Sequence, residues 1–196
     1  MIYNNNLAFC ANIMYNLIIH NKSLCIIRRR DFKAFSFKSI MAVKEILQVG
    51  NKTLKKVSKK VDSINDEIKD IIKDLKDTLY DGTGIGLAAP QIGYLKRIFI
   101  IDLRNGQEPI ILINPSFLKR VGKEESEEGC LSYPGYEGIV IRPRRIIITG
   151  LNEKGEEVTY ESTGLLKDAF CHEYDHLDGI VYIDKAKKVY KVEQIE

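Results

Sequence analysis

Cys171-His172-Glu173-Tyr174-Asp175-His176-Leu177-Asp178-Gly179 sets two imidazoles four residues apart, with a carboxylate directly after the first. On a helix, residues i and i+4 lie about one turn apart on one face, so both rings can reach a single ion while Glu173 leans toward the same space. The helix is predicted by what precedes it. Leu165, Leu166, Ala169 and Phe170 recur at helical spacing after the start signal Ser162-Thr163-Gly164, and the stripe continues into His172, Glu173, His176 and Leu177. The candidate ligands therefore point into the core. Gly179 supplies the stop, and the following Ile180-Val181-Tyr182-Ile183 resists helix extension. An isolated histidine on an apolar face is more often a satisfied core residue. Here the chain has only 3 His, and the two outside the N-terminal region both fall in this one pattern. Without partners, each such buried polar group would cost about 1 to 3 kcal/mol, and a bound metal ion removes that cost.

Two histidines do not make a metal site, so a third ligand decides the class. A metzincin-like continuation His-x-x-Gly-x-x-His runs correctly through Gly179 but meets Tyr182 where the last His belongs. A thermolysin-like site would take a Glu from a later helix, yet only 20 residues follow His176, and Glu193 and Glu196 lie in what reads as a frayed tail. The remaining candidate is upstream, in Glu127-Glu128-Gly129-Cys130-Leu131-Ser132, where a Cys stands at a turn after a charged run and can bind as thiolate. A closed structural zinc module would need a fourth Cys or His near these motifs, and none is evident. A metallopeptidase with an unusual ligand set shares the same helix and stays open.

A third segment is Asp81-Gly82-Thr83-Gly84-Ile85-Gly86-Leu87-Ala88-Ala89-Pro90-Gln91-Ile92-Gly93. It holds four Gly and two Ala in 13 residues, which clears side chains where a ligand or another backbone must approach. It is not a dinucleotide loop, because the third Gly is missing from the required spacing and Pro90 interrupts the following helix. It also lacks the Gly-Lys-Ser/Thr of a phosphate loop. Taken alone, it reads equally well as a turn linking a helix to a strand.

At 196 residues, 44% apolar and 29% charged, the chain can bury a sizeable core. Ser63-Ile64-Asn65-Asp66 opens an amphipathic helix whose Ile64, Ile68, Ile71, Ile72, Leu75 and Leu79 follow a 3.6 period. Strand signals follow at Arg97–Leu103, Pro109–Asn114, Arg144–Leu151 and Glu157–Glu161, the last two joined by a turn at Asn152-Glu153-Lys154-Gly155. The predicted fold class is α+β, with mostly antiparallel sheets around a central metal-binding helix and an N-terminal amphipathic helix. Residues 1–40 fall outside this pattern. They carry six Lys or Arg against one Asp, so the remainder has a net charge of −2 although the whole chain is +3. Their apolar stretches are too short and interrupted to span a membrane, and the charge order is the reverse of a secretory signal. Low acidity with Arg28-Arg29-Arg30 fits an organellar transit peptide, the lesser of two readings. The 4 Cys show no disulfide-framework spacing and suit a reducing cytoplasm.

In this order, GIGLAAPQ (Gly84 to Gln91), EGCLS (Glu128 to Ser132) and HEYDHLDG (His172 to Gly179) resemble the three signature motifs of peptide deformylase, over about Met41 to Ile183. Cys171 stands where that family has Gln, at a position that orients rather than ligates. Adjacent helical residues diverge by about 100°, so joint ligation by Cys171 and His172 is awkward. The resemblance implies one divalent metal ion, iron(II) expected with zinc, nickel or cobalt as substitutes, held by Cys130, His172 and His176. It implies Glu173 as the proton carrier, Gln91 and the Leu131 N–H as oxyanion donors, and Gly84, Ile85, Gly86 and Gly129 as the substrate-binding edge. The implied activity is hydrolysis of the formyl group from N-formylmethionyl nascent peptides, with formate released. No membrane partner and no direct nucleic-acid recognition are expected, whereas a transient ribosome contact and a monomeric state are. Met41-Ala42-Val43-Lys44-Glu45-Ile46-Leu47 is similar to a family N-terminus, which favours a mis-assigned start for residues 1–40 and a catalytic domain over 41–196.

Overall fold

The apolar stripe beginning near Ile64 folds as helix α1 (Asp66–Asp81) in the computed structural model of the protein, which describes residues 43–192. Its start is fixed by Asn65, whose side chain accepts the Ile68 N–H at 3.1 Å, while Asp66 and Glu67 complement the helix dipole. Eight strands follow: β1 (Gly86–Ala88), β2 (Ile98–Ile101), β3 (Ile110–Val121), β4 (Glu124–Cys130), β5 (Tyr133–Arg142), β6 (Arg145–Leu151), β7 (Glu157–Ser162) and β8 (Lys188–Lys191). Helix α2 (Gly164–Leu177) stands between β7 and β8. The expectations for residues 1–40, Glu193 and Glu196 lie outside the described residues.

The strands form two sheets, ordered β1-β2-β3-β6-β7 and β4-β5-β8, with every strand pair antiparallel. A lone parallel bridge joins Lys59 to Lys96. The five-stranded sheet lies between the two helices. Ile98 and Ile100 of β2 pack with Ile68, Ile71, Ile72, Leu75 and Leu79 of α1. Phe99 and Ile101, pointing the other way, pack with Ala169, Phe170, Cys171 and Leu177 of α2. Burial on both faces explains why β2 reads as an unbroken apolar run rather than an alternation.

Each expected strand exists, and one is much longer than expected. Asn114-Pro115 reads as a turn, which ends the predicted strand at Asn114. In the fold β3 continues to Val121, and the pairing with β6 shifts register between Ile113 and Ser116. Asn114 takes a positive φ of 52° there, and its amide exchanges two 2.8 Å hydrogen bonds with the backbone of Val61. The signal marks a bulge, not a chain reversal.

The fold has the antiparallel sheets expected, but none of the four strand signals falls in the second one. β4 reads as a charged run because its inward positions are Ser126 and Glu128 rather than aliphatic residues. β4 ends at Cys130 and β5 begins at Tyr133, so Cys130 is a strand end rather than a free-standing turn residue. This sheet carries Cys130, and α2 carries His172 and His176.

Candidate metal centre and cleft

Helix α2 presents His172 and His176 one turn apart, with ring centroids 4.9 Å apart and planes at 80°. β4 brings Cys130 against them, its Sγ 3.3 Å from His176 Nε2. One donor atom from each of Cys130, His172 and His176 lies within 4.8 Å of the others. His172 spends Nδ1 on Glu128 Oε2 at 2.8 Å, which leaves its other ring nitrogen to ligate. Burial holds the His176 ring well below its ordinary pKa and hence neutral, as a ligand must be. Burial opposes charge on His172 too, but Cys130, Glu128 and Glu173 outweigh it and raise the ring well above its ordinary value. Surroundings that stabilise a positive ring stabilise a metal cation. One thiolate and two imidazoles suit a divalent transition metal and not a hard cation that wants oxygen ligands.

Cys171, the alternative thiol, faces away. It is buried in the cluster that α2 makes with the five-stranded sheet, and burial pushes its thiol up to about 11. The 100° offset from His172 places it against Phe99 and Leu112 rather than at the centre.

Glu173 is 4% exposed, and its Oε2 has no hydrogen-bond partner among the described residues. Burial pushes its carboxyl up to about 7, with the nearby Glu128 adding to the shift and His172 opposing it. Room for it comes from the Gly-rich segment. A Cβ at Gly86 would stand 2.4 Å from Glu173 Oε1, and one at Gly84 would stand 2.7 Å from Leu131 Cδ1. The segment is therefore a close approach between β1, α2 and the Cys130 turn, and the plain-turn reading accounts for neither clash.

Gln91 lies in the short 3-10 turn Ala89–Ile92 and is 2% exposed. Its Oε1 accepts the Ala88 N–H at 2.8 Å, which fixes the direction of its NH₂. That NH₂ donates to Ser132 Oγ at 3.1 Å and, at a long 3.5 Å, toward Cys130 Sγ. Ser132 N–H also donates to Cys130 Sγ at 3.4 Å. Leu131 sits between the two in the turn from β4 to β5. Gly84, Ile85, Gly86, Gln91, Gly129, Cys130, Leu131, His172 and Glu173 share the wall of one cleft of about 560 Å³.

The residues behind the centre had no signal in the sequence. Glu128 accepts Arg142 Nε at 2.5 Å and Nη2 at 2.8 Å, and Arg142 Nη1 donates to Asp175 at 2.6 Å. Lys185 closes the chain on Asp175 at 2.6 Å. Burial works to raise the Glu128 carboxyl, but the Arg142 fork and His172 outweigh it and hold it at about 2. Recognising β4 as a strand would have revealed Glu128, two residues from Cys130 on the same face.

The sequence model of the polypeptide deformylase family matches residues 43–192. Peptide deformylase 2 of Clostridium perfringens is 52% identical over 154 residues, covering 78% of this chain and 98% of that protein. The crystal structure of a peptide deformylase from Legionella pneumophila superposes with a TM-score of 0.72 at 35% identity, covering 74% of this chain and 87% of that one. The peptide deformylase of Thermotoga maritima gives 0.71 at 36% identity, over 75% and 99% of the two chains.

Proposed function

Because the chain belongs to the peptide deformylase family, hydrolases that remove the N-formyl group from nascent peptides, we propose that Cys130, His172 and His176 hold its metal and that Glu173 moves the protons. The observation that carries this reading is the unpartnered, buried Glu173 oxygen opening beside a three-donor group in a peptide-sized cleft. A divalent ion there, iron(II) expected with zinc, nickel or cobalt as substitutes, supplies Lewis acidity that brings the pKa of water toward about 7. Glu173 accepts the proton as water oxygen bonds to the formyl carbon. Charge then grows on the formyl oxygen, which the Gln91 NH₂ and the Leu131 N–H stabilise. As the carbon–nitrogen bond breaks, Glu173 returns the proton to the amine, and formate leaves.

The peptide lies extended along β1, an edge strand of its sheet that lines the cleft together with Gly84 and Ile85, with Gly129 opposite. The Met side chain takes an apolar pocket. No helix among the described residues is long and apolar enough to cross a membrane. We place the reaction in the cytoplasm, in a monomer acting on N-formylmethionyl chains with a transient ribosome contact. Residues 1–40 lie outside the catalytic domain on this reading, supported by relatives matched over nearly their whole length by 78% of this chain. Full-length protein should release formate from formyl-Met-Ala-Ser and leave its peptide bonds intact, and a chain starting at Met41 should match its rate. Peptide-bond cleavage instead of formate release would favour the metallopeptidase reading. An active full-length chain beside an inactive shorter one would make the extension part of the domain.

Cys130→Ser exchanges a soft thiolate for a poor ligand and should lose metal on gel filtration, whereas Cys171→Ser should keep it. Metal loss on the second substitution alone would transfer the ligand role to Cys171. Gln91→Glu keeps the Ala88 contact but replaces a donor with an acceptor at the developing oxyanion. It should lower kcat by about 10²-fold or more and change KM far less. Normal turnover with a lowered melting temperature would reduce Gln91 to a loop brace.

A further inference from the structure

The two oxyanion donors come from different sheets. Gln91 follows β1 of the five-stranded sheet, and Leu131 joins β4 to β5 of the second. Among the described residues no strand pair links the two sheets, so no ladder fixes the distance between the donors. What spans the gap is the segment 44–49. Its Leu47 N–H donates to the Gln91 carbonyl at 2.8 Å, and its Val49 N–H donates to the Ser132 carbonyl at 2.8 Å. Between them, Gln48 Nε2 donates to the Leu131 carbonyl at 3.3 Å and to the Ile46 carbonyl at 2.9 Å. Three consecutive residues thus hold three carbonyls, each on an oxyanion donor or its neighbour. The Gln91 NH₂ also reaches across to Ser132 Oγ at 3.1 Å, but a donor cannot serve as its own fixed frame.

The segment is itself anchored on both sides. The Lys44 N–H donates to Thr78 Oγ1 of α1 at 3.0 Å, and Lys44 Nζ lies 3.4 Å from Asp74, which also accepts the Tyr94 hydroxyl at 2.8 Å. Ile46 packs on the core that α1 makes with the five-stranded sheet, whereas Leu47 and Val49 pack on the cluster of Leu54, Val140, Val181 and Tyr182. Gln48 is exposed, so its side chain contributes hydrogen bonds rather than burial. The peptide plane it grips, Leu131–Ser132, has its N–H on Cys130 Sγ at 3.4 Å. Because peptide units are rigid planes hinged at Cα, a tilt of this plane swings the adjoining Leu131 N–H. Oxyanion donors act from about 2.7 to 3.1 Å, so a displacement of about 0.5 Å is felt as charge develops.

We infer that the segment 44–49 is the frame that sets the two oxyanion donors relative to each other, and that Gln48 is a positioning residue acting through the Leu131 peptide. The inference rests on the deformylase reading of the same site and adds a residue to it. Gln48 does not line the cleft, so its effect should fall on kcat and leave KM within about twofold. One exposed hydrogen bond is modest, and Gln48→Met, which keeps the stem and loses the donor, should lower kcat about threefold. Gln48→Glu keeps the shape but sets an acceptor against the Leu131 carbonyl and should lower kcat about tenfold. Gln48→Lys restores a donor and should return kcat to within about twofold of wild type.

The test measures formate release from formyl-Met-Ala-Ser by the metal-loaded full chain and its three Gln48 variants, with melting temperature and amide hydrogen exchange on the same samples. Melting temperatures should stay within about 3 °C of wild type, as for other exposed substitutions. Exchange of the Ser132 amide should quicken in Gln48→Met and Gln48→Glu but not in Gln48→Lys, while the amides of α1 and β2 keep their protection. Unchanged kcat in both Gln48→Met and Gln48→Glu, or a change confined to KM, would overturn the inference while formate release by wild type keeps the deformylase reading. So would a fall in kcat that Gln48→Lys shares, or a lowered melting temperature with normal turnover per folded molecule. No formate from the wild-type chain would sink both.

Discussion

Replacing Glu173 with Ala should leave one metal ion per chain and lower kcat by about 10² to 10⁴-fold, the usual contribution of a positioned acid–base group. Metal should stay because Glu173 is outside the three-donor group. Catalysis should collapse because the remaining cleft carboxylates are spent or remote: Glu128 on Arg142 and His172, Asp168 on Lys167. The stability change has the opposite sign. A 4% exposed carboxyl with one unpartnered oxygen destabilises the fold, so its removal should leave the melting temperature unchanged or higher. Loss of activity together with loss of stability would point instead to a structural role. A metal-loaded Glu173→Ala enzyme turning over at the normal rate would end the proposed mechanism.

The parts of this site that sequence exposes are those whose side chains obey a period. Helix α2 was legible because Leu166, Ala169, Phe170 and Leu177 continue the spacing that carries the two histidines. α1 was legible for the same reason, and β2 by its apolar run. The second sheet was hidden because its inward residues answer to charge rather than hydrophobicity. Ser126 and Glu128 occupy inward positions of β4, and Arg142, the partner of Glu128, ends β5 beyond an apolar alternation that gives no hint of a buried cation. β8, four residues with mostly exposed side chains, offers no pattern. Similarly, Gln91 is conspicuous in its Gly-rich context, but the Ala88 bond that aims its NH₂ depends on a turn that no local rule predicts.

That hidden cation should have the largest structural effect in the molecule. Arg142 is 4% exposed and bridges Glu128 to Asp175 with three short hydrogen bonds. Removing one partner of such a buried cluster strands the others without water, a loss of about 3 to 5 kcal/mol. Lys185 can still reach Asp175, but Glu128 would keep only the His172 ring. Arg142→Met, which preserves much of the stem volume, should therefore lower the melting temperature by roughly 10 °C or more in metal-free protein. It should also weaken metal retention about 10 to 100-fold, because Glu128 orients His172 from behind. Arg142→Lys keeps the charge but not the two-pronged contact and should fall between the two. Pairing Arg142→Met with Glu128→Gln removes the stranded charge, so the double variant should be more stable than the sum of the single losses predicts. A metal-free Arg142→Met protein melting within about 2 °C of wild type would mean that water reaches Glu128 and that the cluster is not the buried support described above.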